Sequence, residues 1–220
     1  MVTFAILGLM FNKWVLCMNR KNIKMQALKM LENNVWNIWK PILVIVFILI
    51  IFEILFSYIN FDSELAESIV YLILFSLITS QLFVGFSFYM LNLIRGNNFS
   101  ISNLFCFYKS FITIFIINLI VQLFFMIGLF CFIVPAVIVM LCYSFVNYVL
   151  ADGEKDVIDA LRSSRELISG YKFKYLKFIL SFTGWFLVVL CTFGTAVIFV
   201  LPYISLSNAL YYDKLLSIKE

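Results

Sequence analysis

Six segments of the chain are each long and apolar enough to cross a lipid bilayer. An α-helix rises about 1.5 Å per residue, so about 20 apolar residues cross the hydrocarbon core. Of the 220 residues, 64% are hydrophobic and 13% are charged, and a chain of this length cannot bury that much apolar surface in water. The composition therefore excludes a soluble enzyme, a nucleic-acid-binding domain and a disordered chain. It predicts an all-α, polytopic transmembrane helical bundle of about six spans with short amphipathic interfacial helices.

Turn-forming residues set the boundaries of the predicted spans. The spans cover residues 41–60, 69–94, 111–132, 134–151, 175–192 and 194–212. The nearly unbroken apolar run 111–151 is divided near Pro135, because proline lacks a backbone N–H and disfavours helix at the residue before it. One very long helix kinked at this proline is the alternative. The fifth and sixth spans are divided at Thr192-Phe193-Gly194, where glycine permits a tight turn.

The positive charges give an independent test of this map. All 16 Lys and Arg residues lie before the first span, between the second and third, between or just inside the fourth and fifth, or after the sixth. With six spans, these four regions share one side of the membrane, and the opposite side carries no Lys or Arg. The positive-inside rule then places both termini in the cytoplasm. We therefore predict a multi-pass protein of the cell membrane.

The first 18 residues are expected to stand apart from a single membrane domain that covers residues 19–220. Met1 to Phe11 is apolar but too short to cross a bilayer, and it lacks the basic start and small-residue cleavage site of a signal peptide. We interpret residues 1–17 as an upstream extension or a loosely held interfacial piece.

Three segments outside the spans have the patterns of short helices. Met25 to Trp39 predicts an amphipathic helix that lies in the membrane surface. Arg95 to Ser110 predicts a short interfacial helix capped by Ser100 or Ser102. Asp152 to Gly170 predicts a water-facing helix whose early acidic residues and late arginines follow the helix macrodipole. Its narrow apolar stripe, which we expect the bundle rather than a protein partner to cover, comprises Val157, Leu161, Ser164 and Ile168.

Tryptophan and lysine side chains near the span ends suit the lipid headgroup layer. The predicted interfacial anchors are Trp36, Trp39, Lys40, Lys172, Lys174 and Lys177. The apolar stripe of the first amphipathic helix is Leu28, Leu31, Val35 and Ile38. We expect the lipid bilayer as a partner, with anionic lipids at the cytoplasmic face, as well as a membrane-protein partner and no nucleic acid.

Polar side chains inside the spans are the candidate functional residues. Glu53 is the only acidic residue well inside a span, where an ionised carboxylate costs a few kcal/mol. Asn118 and Gln122 lie four residues apart on the third span, and the second span carries Ser76, Thr79, Ser80 and Gln81. Such groups either join helices by hydrogen bonds or line a polar cavity. The candidate polar pathway is Glu53, Gln81, Asn118 and Gln122.

The chain lacks the residue patterns of most catalytic sites. It contains no histidine, its five cysteines form no C-x-x-C pair, and no glycine-rich phosphate loop occurs. We therefore expect neither an enzyme nor a bound cofactor or metal. A non-enzymatic scaffold or accessory subunit is the leading hypothesis. A small transporter or channel that uses Glu53 and the polar residues of spans two and three is the alternative, and a lipid-modifying enzyme comes third.

Three stretches carry a resemblance to a known family. They are Arg95-Gly96 with Ile101 to Phe105, Ile133 to Ala136 with Leu150-Ala151-Asp152, and Leu180 to Trp185 with Thr192-Phe193-Gly194. From about Asn19 onwards the chain resembles a bacterial family of integral membrane proteins known as domain-of-unknown-function family 975. The resemblance implies a multi-pass helical protein and brings no established activity, ligand or catalytic residue. Two departures are Ala136, where the family usually has glycine, and the first 18 residues, which have no counterpart.

Overall fold

The computed structural model describes residues 20–59, 63–131, 133–154 and 156–219, and in these it is helical without strands. Its helices are α1 Arg20–Asn33, α2 Val35–Ser57, α3 Glu64–Arg95, a 3₁₀ helix Ile101–Ser110, α4 Phe111–Cys131, α5 Ile133–Tyr143, α6 Val146–Ala151, α7 Val157–Ile168, α8 Lys172–Leu180, α9 Thr183–Cys191 and α10 Val197–Lys219. The all-α prediction is confirmed. The interpretation of residues 1–17 lies outside the described residues.

Five helical stretches of the described chain are long and apolar enough to cross a membrane, which makes this a membrane protein. They are Val35–Ser57, Glu64–Arg95, Ile101–Phe130, Ile133–Ala151 and Lys172–Cys191. The expected sixth span, α10, is a helix but is not among them. Its sequence is more polar because much of it faces protein: Ser207, Tyr211 and Tyr212 are all buried. A helix that its neighbours surround does not need lipid-facing apolar residues on every side.

Both helix breaks that were expected from turn residues are present. α4 ends at Cys131 and α5 begins at Ile133, so Pro135 lies in the first turn of α5. A Cβ atom added at Gly128 would lie 2.9 Å from the backbone of Ala136, so α4 and α5 pack closely as a hairpin and not as one kinked helix. Between α9 and α10, Gly194 has a φ of 88°, the left-handed region that glycine adopts easily.

The prediction of one amphipathic helix over Met25–Trp39 is wrong. The chain breaks at Asn34, so the second half of that segment is the beginning of α2. α1 packs against α10, with Ile23 and Ala27 fully buried and Leu28 exposed. The expected stripe joined residues from two separate helices. α1 is therefore a separate helix that packs into the bundle.

The 3₁₀ helix packs against α3 through direct backbone contact. The Ser100 side chain accepts a hydrogen bond from the Ser102 N–H at 3.4 Å, which confirms the expected cap. At Gly85 of α3, an added Cβ atom would collide with the Leu104 carbonyl. Glycine is therefore required at this position for the two helices to lie side by side.

The core lies at one end of the bundle and is rich in aromatic rings. Phe145 and Tyr175 have ring centroids 4.8 Å apart, and so do Phe178 and Tyr211. At the opposite end, Phe130 and Phe193 are 98% and 97% exposed, as is usual for side chains that face lipid. The tightly packed end and the adjoining middle of the bundle hold the polar cavity and the charged cluster described next.

Candidate functional site

A polar cavity of about 410 Å³ lies between α3, α4 and the junction of α5 with α6. Gln122 lies near the middle of the 21-residue α4 and is exposed, so the cavity opens to the surface of the bundle at this level. None of the described residues that line it is charged. The polar ones are Ser76, Thr79 and Ser80 of α3, Asn118 and Gln122 of α4, and Tyr143, Ser144 and Asn147 of the junction.

The fourth predicted span is broken beside this cavity. α5 ends at Tyr143 and α6 begins at Val146, so the chain is non-helical at Ser144 and Phe145. Within a membrane, a broken helix leaves main-chain groups that water cannot satisfy, and it persists where protein buries it or where it lines a cavity. Here the buried Ser164 hydroxyl of α7 donates to the Cys142 carbonyl oxygen at 3.0 Å. The break is therefore supported from one side and open to the cavity on the other.

Asn147, which lines this cavity, carries an unusual acceptor. Its Oδ1 atom is buried and has no hydrogen-bond partner among the described residues. A buried polar atom without a partner costs about 1–3 kcal/mol. Asn147 therefore brings an unsatisfied amide group to the wall of the cavity.

Two of the four residues expected to form a polar pathway come together. Asn118 and Gln122 both line the cavity. Gln81 is buried elsewhere, and its Nε2 donates to the Phe111 carbonyl oxygen at 2.9 Å. It therefore joins α3 to the start of α4.

Glu53 lies apart from the cavity, in a cleft of about 550 Å³ between α2 and α3. Its Oε1 accepts a hydrogen bond from the Tyr71 hydroxyl at 2.6 Å. Aromatic rings of Phe52 and Phe75 lie within about 6 Å of the Tyr71 ring, at 5.8 and 5.6 Å. The carboxylate is thus held by a hydroxyl between two helices.

A charged cluster joins the ends of α3 and α6 to α10 at the packed end of the bundle. Arg95, at the end of α3, donates Nη1 and Nη2 to the two carboxylate oxygens of Asp152 at 2.6 and 3.1 Å. Its Nε donates to Asp213 of α10 at 2.8 Å, and the Tyr212 hydroxyl donates to Asp152 at 2.8 Å. These residues line a cleft of about 650 Å³.

Sequence reasoning missed this cluster. It assigned Asp152 to the start of a helix, whereas the structure places Asp152 after α6 and begins α7 only at Val157. The macrodipole explanation is therefore wrong for Asp152. A signal was present, because Arg95, Asp152 and Asp213 each directly follow a long, largely apolar segment. Charges at matching ends of spans are natural partners.

α1 makes a second set of polar contacts, at the break between α8 and α9. Arg20 Nη1 donates to the Lys177 carbonyl at 3.3 Å, and Lys24 Nζ donates to the Ser181 carbonyl at 3.0 Å. The Lys24 ammonium also lies 4.0 Å from the Phe182 ring centroid. Burial lowers the pKa of Lys24, and the neighbouring Arg20 charge lowers this pKa further. These contacts fix α1 to the bundle.

The predicted interfacial anchors lie at the starts of two candidate spans. Trp36, Trp39 and Lys40 are in the first two turns of α2, and Lys172, Lys174 and Lys177 are on α8. Trp36 is exposed, whereas Trp39 is half-buried and packs against the core. Their positions suit contact with headgroups.

One group of carboxylates in the described chain has the spacing of metal ligands. Oxygen atoms of Glu154, Asp156 and Asp159 lie within 4.8 Å of one another. The Oδ1 atom of Asp159 also lies 3.8 Å from Nη1 of Arg162. Acidic groups on exposed surfaces are common without an ion, so this group carries no assignment.

The second half of the chain matches a family model. The model is described as "Protein of unknown function (DUF975)" and matches residues 123–219. Over these residues the chain resembles the DUF975 family. The resemblance expected from the sequence is confirmed there, and the stretch Arg95 to Phe105 lies outside the match. No curated protein and no solved structure matches the chain.

The region that matches the DUF975 family contributes to both polar sites. It includes Ser144 and Asn147 of the cavity and Asp152 and Asp213 of the charged cluster. Arg95, which pairs with both carboxylates, comes from outside it. The two sites therefore combine the matched region with the part of the chain before it.

Proposed function

We propose that the protein is a small membrane transporter that binds an uncharged polar solute in the cavity beside the α5–α6 break. The observation that supports this is the convergence of amides and hydroxyls from three predicted spans on one cavity. In transporters, interrupted helices commonly mark the substrate site, because they offer free backbone groups in the middle of the membrane. Ser144 and Asn147 occupy that position here.

The lining of the cavity defines the solute class. The cavity volume of about 410 Å³ falls within the range of about 300–1,000 Å³ for small-molecule sites. Among the described residues its lining has no charged side chain to compensate an ion, and an uncompensated charge in a membrane is costly. A neutral molecule with several hydroxyl or amide groups fits these conditions.

We further propose six crossings of the cell membrane with both termini in the cytoplasm. The ion pair between Arg95 and Asp213 supports this topology, because it brings the end of α3 and the end of α10 to the same end of the bundle. If α2 and α3 are the first two crossings, the end of α3 lies on the same side of the membrane as the start of α2. Because the end of α10 lies on that side too, the total number of crossings is even. The positive-inside rule then makes the side rich in Lys and Arg cytoplasmic.

A non-enzymatic scaffold or accessory subunit is the alternative. It is favoured by α1 and α7, which lie outside the five candidate spans and expose charged side chains such as Lys29 and Arg162. Such surfaces suit a protein partner. The two hypotheses differ in whether the protein alone moves a solute.

Flux measurements on proteoliposomes test the transport proposal. Glycerol and urea serve as uncharged probes, and stopped-flow light scattering follows their entry. We expect wild-type protein to raise the entry rate above that of protein-free liposomes. Asn147→Leu should abolish the increase, whereas Glu53→Gln, which lies outside the cavity, should retain it. Equal rates for wild-type and protein-free liposomes would reject transport of these solutes and favour the scaffold.

A further inference from the structure

A basic recess lies where α7 ends and α8 begins. It has a volume of about 360 Å³ and is lined by Arg162, Arg165, Glu166, Ser169 and Lys172. Three cations and one carboxylate give the recess a positive potential. A site with this charge balance attracts an anion.

The protein itself engages these cations only weakly. Arg162 lies 3.8 Å from Asp159, and their side chains are 65% and 51% exposed. Neither Arg165 nor Lys172 forms an ion pair with a residue that the structure describes. Guanidinium groups bind phosphate through paired N–H donors, and ammonium groups bind it as point charges. The start of α8, which has no side-chain cap at Tyr171, adds the positive end of a helix dipole.

The recess opens at the start of a candidate span. Lys172 is the first residue of the apolar stretch Lys172–Cys191, so the recess adjoins the membrane surface. The next residue, Phe173, is 80% exposed, and an exposed ring at this level suits contact with lipid. A molecule that carries both a phosphate and acyl chains matches the cations and the ring together.

We propose that this recess binds the phosphate of an anionic phospholipid. The proposal commits to a lipid because the cations adjoin an apolar, exposed side chain at a span end, which a free phosphate ion would not need. It is independent of the solute cavity, since it uses different residues at a different level of the bundle. It also assigns Arg162 and Arg165 to lipid binding, in addition to the lysine anchors expected from the sequence.

Native mass spectrometry of the full chain in detergent tests this proposal. Phosphatidylglycerol and phosphatidylcholine are titrated separately, each with and without inorganic phosphate as competitor. We expect the wild type to bind phosphatidylglycerol more tightly. The variant R162Q/R165Q/K172Q should lose about tenfold or more in affinity for it, because each basic residue adds to the attraction of an anionic lipid.

The control variant K21Q/K29Q/K109Q removes three exposed cations elsewhere and should change that affinity by less than about twofold. Thermal unfolding in phosphatidylcholine checks that both variants fold, and if the triple variant does not, R165Q alone should still weaken binding of phosphatidylglycerol. Equal binding of the two lipids by the wild type, or unchanged binding by the recess variants, would overturn the proposal. Full displacement of the lipid by inorganic phosphate would identify a free-phosphate site and also overturn it.

Discussion

The hydroxyl of Ser164 donates a hydrogen bond to the carbonyl oxygen of Cys142 at 3.0 Å, in a position where Ser164 is fully buried. This contact replaces a main-chain hydrogen bond that the break between α5 and α6 removes. Through it, α7 supports the wall of the polar cavity.

Ser164→Ala should destabilise the protein by about 1–3 kcal/mol, because it leaves the buried Cys142 carbonyl without its donor. Ser205→Ala is the matched control, since among the described residues the Ser205 hydroxyl bonds only to the Leu201 carbonyl of its own helix. Unfolding in detergent, followed by circular dichroism, measures both changes. Equal stabilities for the two variants would contradict the assigned role of Ser164.

Gly85→Ala should destabilise the protein by about 1–3 kcal/mol, the usual cost of overpacking. The added methyl group would meet the Leu104 backbone, which cannot rotate away as a side chain can. Gly184→Ala is the control, because no described residue comes within 4 Å of a Cβ atom added there. That change should be neutral or stabilising, as alanine favours helix over glycine. Comparison of the two melting temperatures checks the prediction, and an unaffected Gly85→Ala variant would contradict it.

Arg95 and Asp152 should show a coupling free energy of about 1 kcal/mol or more in a double-mutant cycle with Arg95→Gln and Asp152→Asn. Their side chains are only 29% and 26% exposed, and the contact is bidentate. The more exposed pair Arg162 and Asp159, at 3.8 Å, should show a coupling near zero. Indistinguishable couplings for the two pairs would remove the case for a structural ion cluster.

The lowered pKa of Lys24 predicts that the folded protein gains stability at alkaline pH. Burial lowers its pKa in the folded protein below the ordinary value of 10.5, so the unfolded chain holds this proton more tightly. As the pH rises through the folded pKa towards 10.5, the unfolded state carries more protons, and the free energy of unfolding increases. Lys24→Met should abolish this contribution. The measurement is the stability difference between wild type and variant across that pH range, and a constant difference would contradict the prediction.

Local turn signals were sufficient to predict several helix boundaries. Pro135 and Gly194 determine backbone conformation through their own covalent structure, so the hairpins at α4–α5 and α9–α10 follow from the sequence. The break at Asn34 has no proline or glycine. It was missed, and the adjoining amphipathic pattern was assigned to one helix instead of two.

The candidate site was only partly predictable, because its groups come from distant parts of the chain. Asn118 and Gln122 share a helix face by spacing alone. The break that adds Ser144 and Asn147 depends on Ser164, 22 residues from Cys142 in sequence. No local sequence pattern predicts such a contact. The same holds for the contact between Arg95 and Asp213, which are 118 residues apart in sequence.

That separation has a consequence for biosynthesis. When α3 and α6 have been made, Arg95 can already pair with Asp152. Its second carboxylate partner, Asp213, has not yet been synthesised. Only after α10 has been synthesised can Asp213 accept the hydrogen bond from Arg95 Nε. The guanidinium therefore acquires its second carboxylate partner late, and completion of the cluster coincides with the arrival of α10.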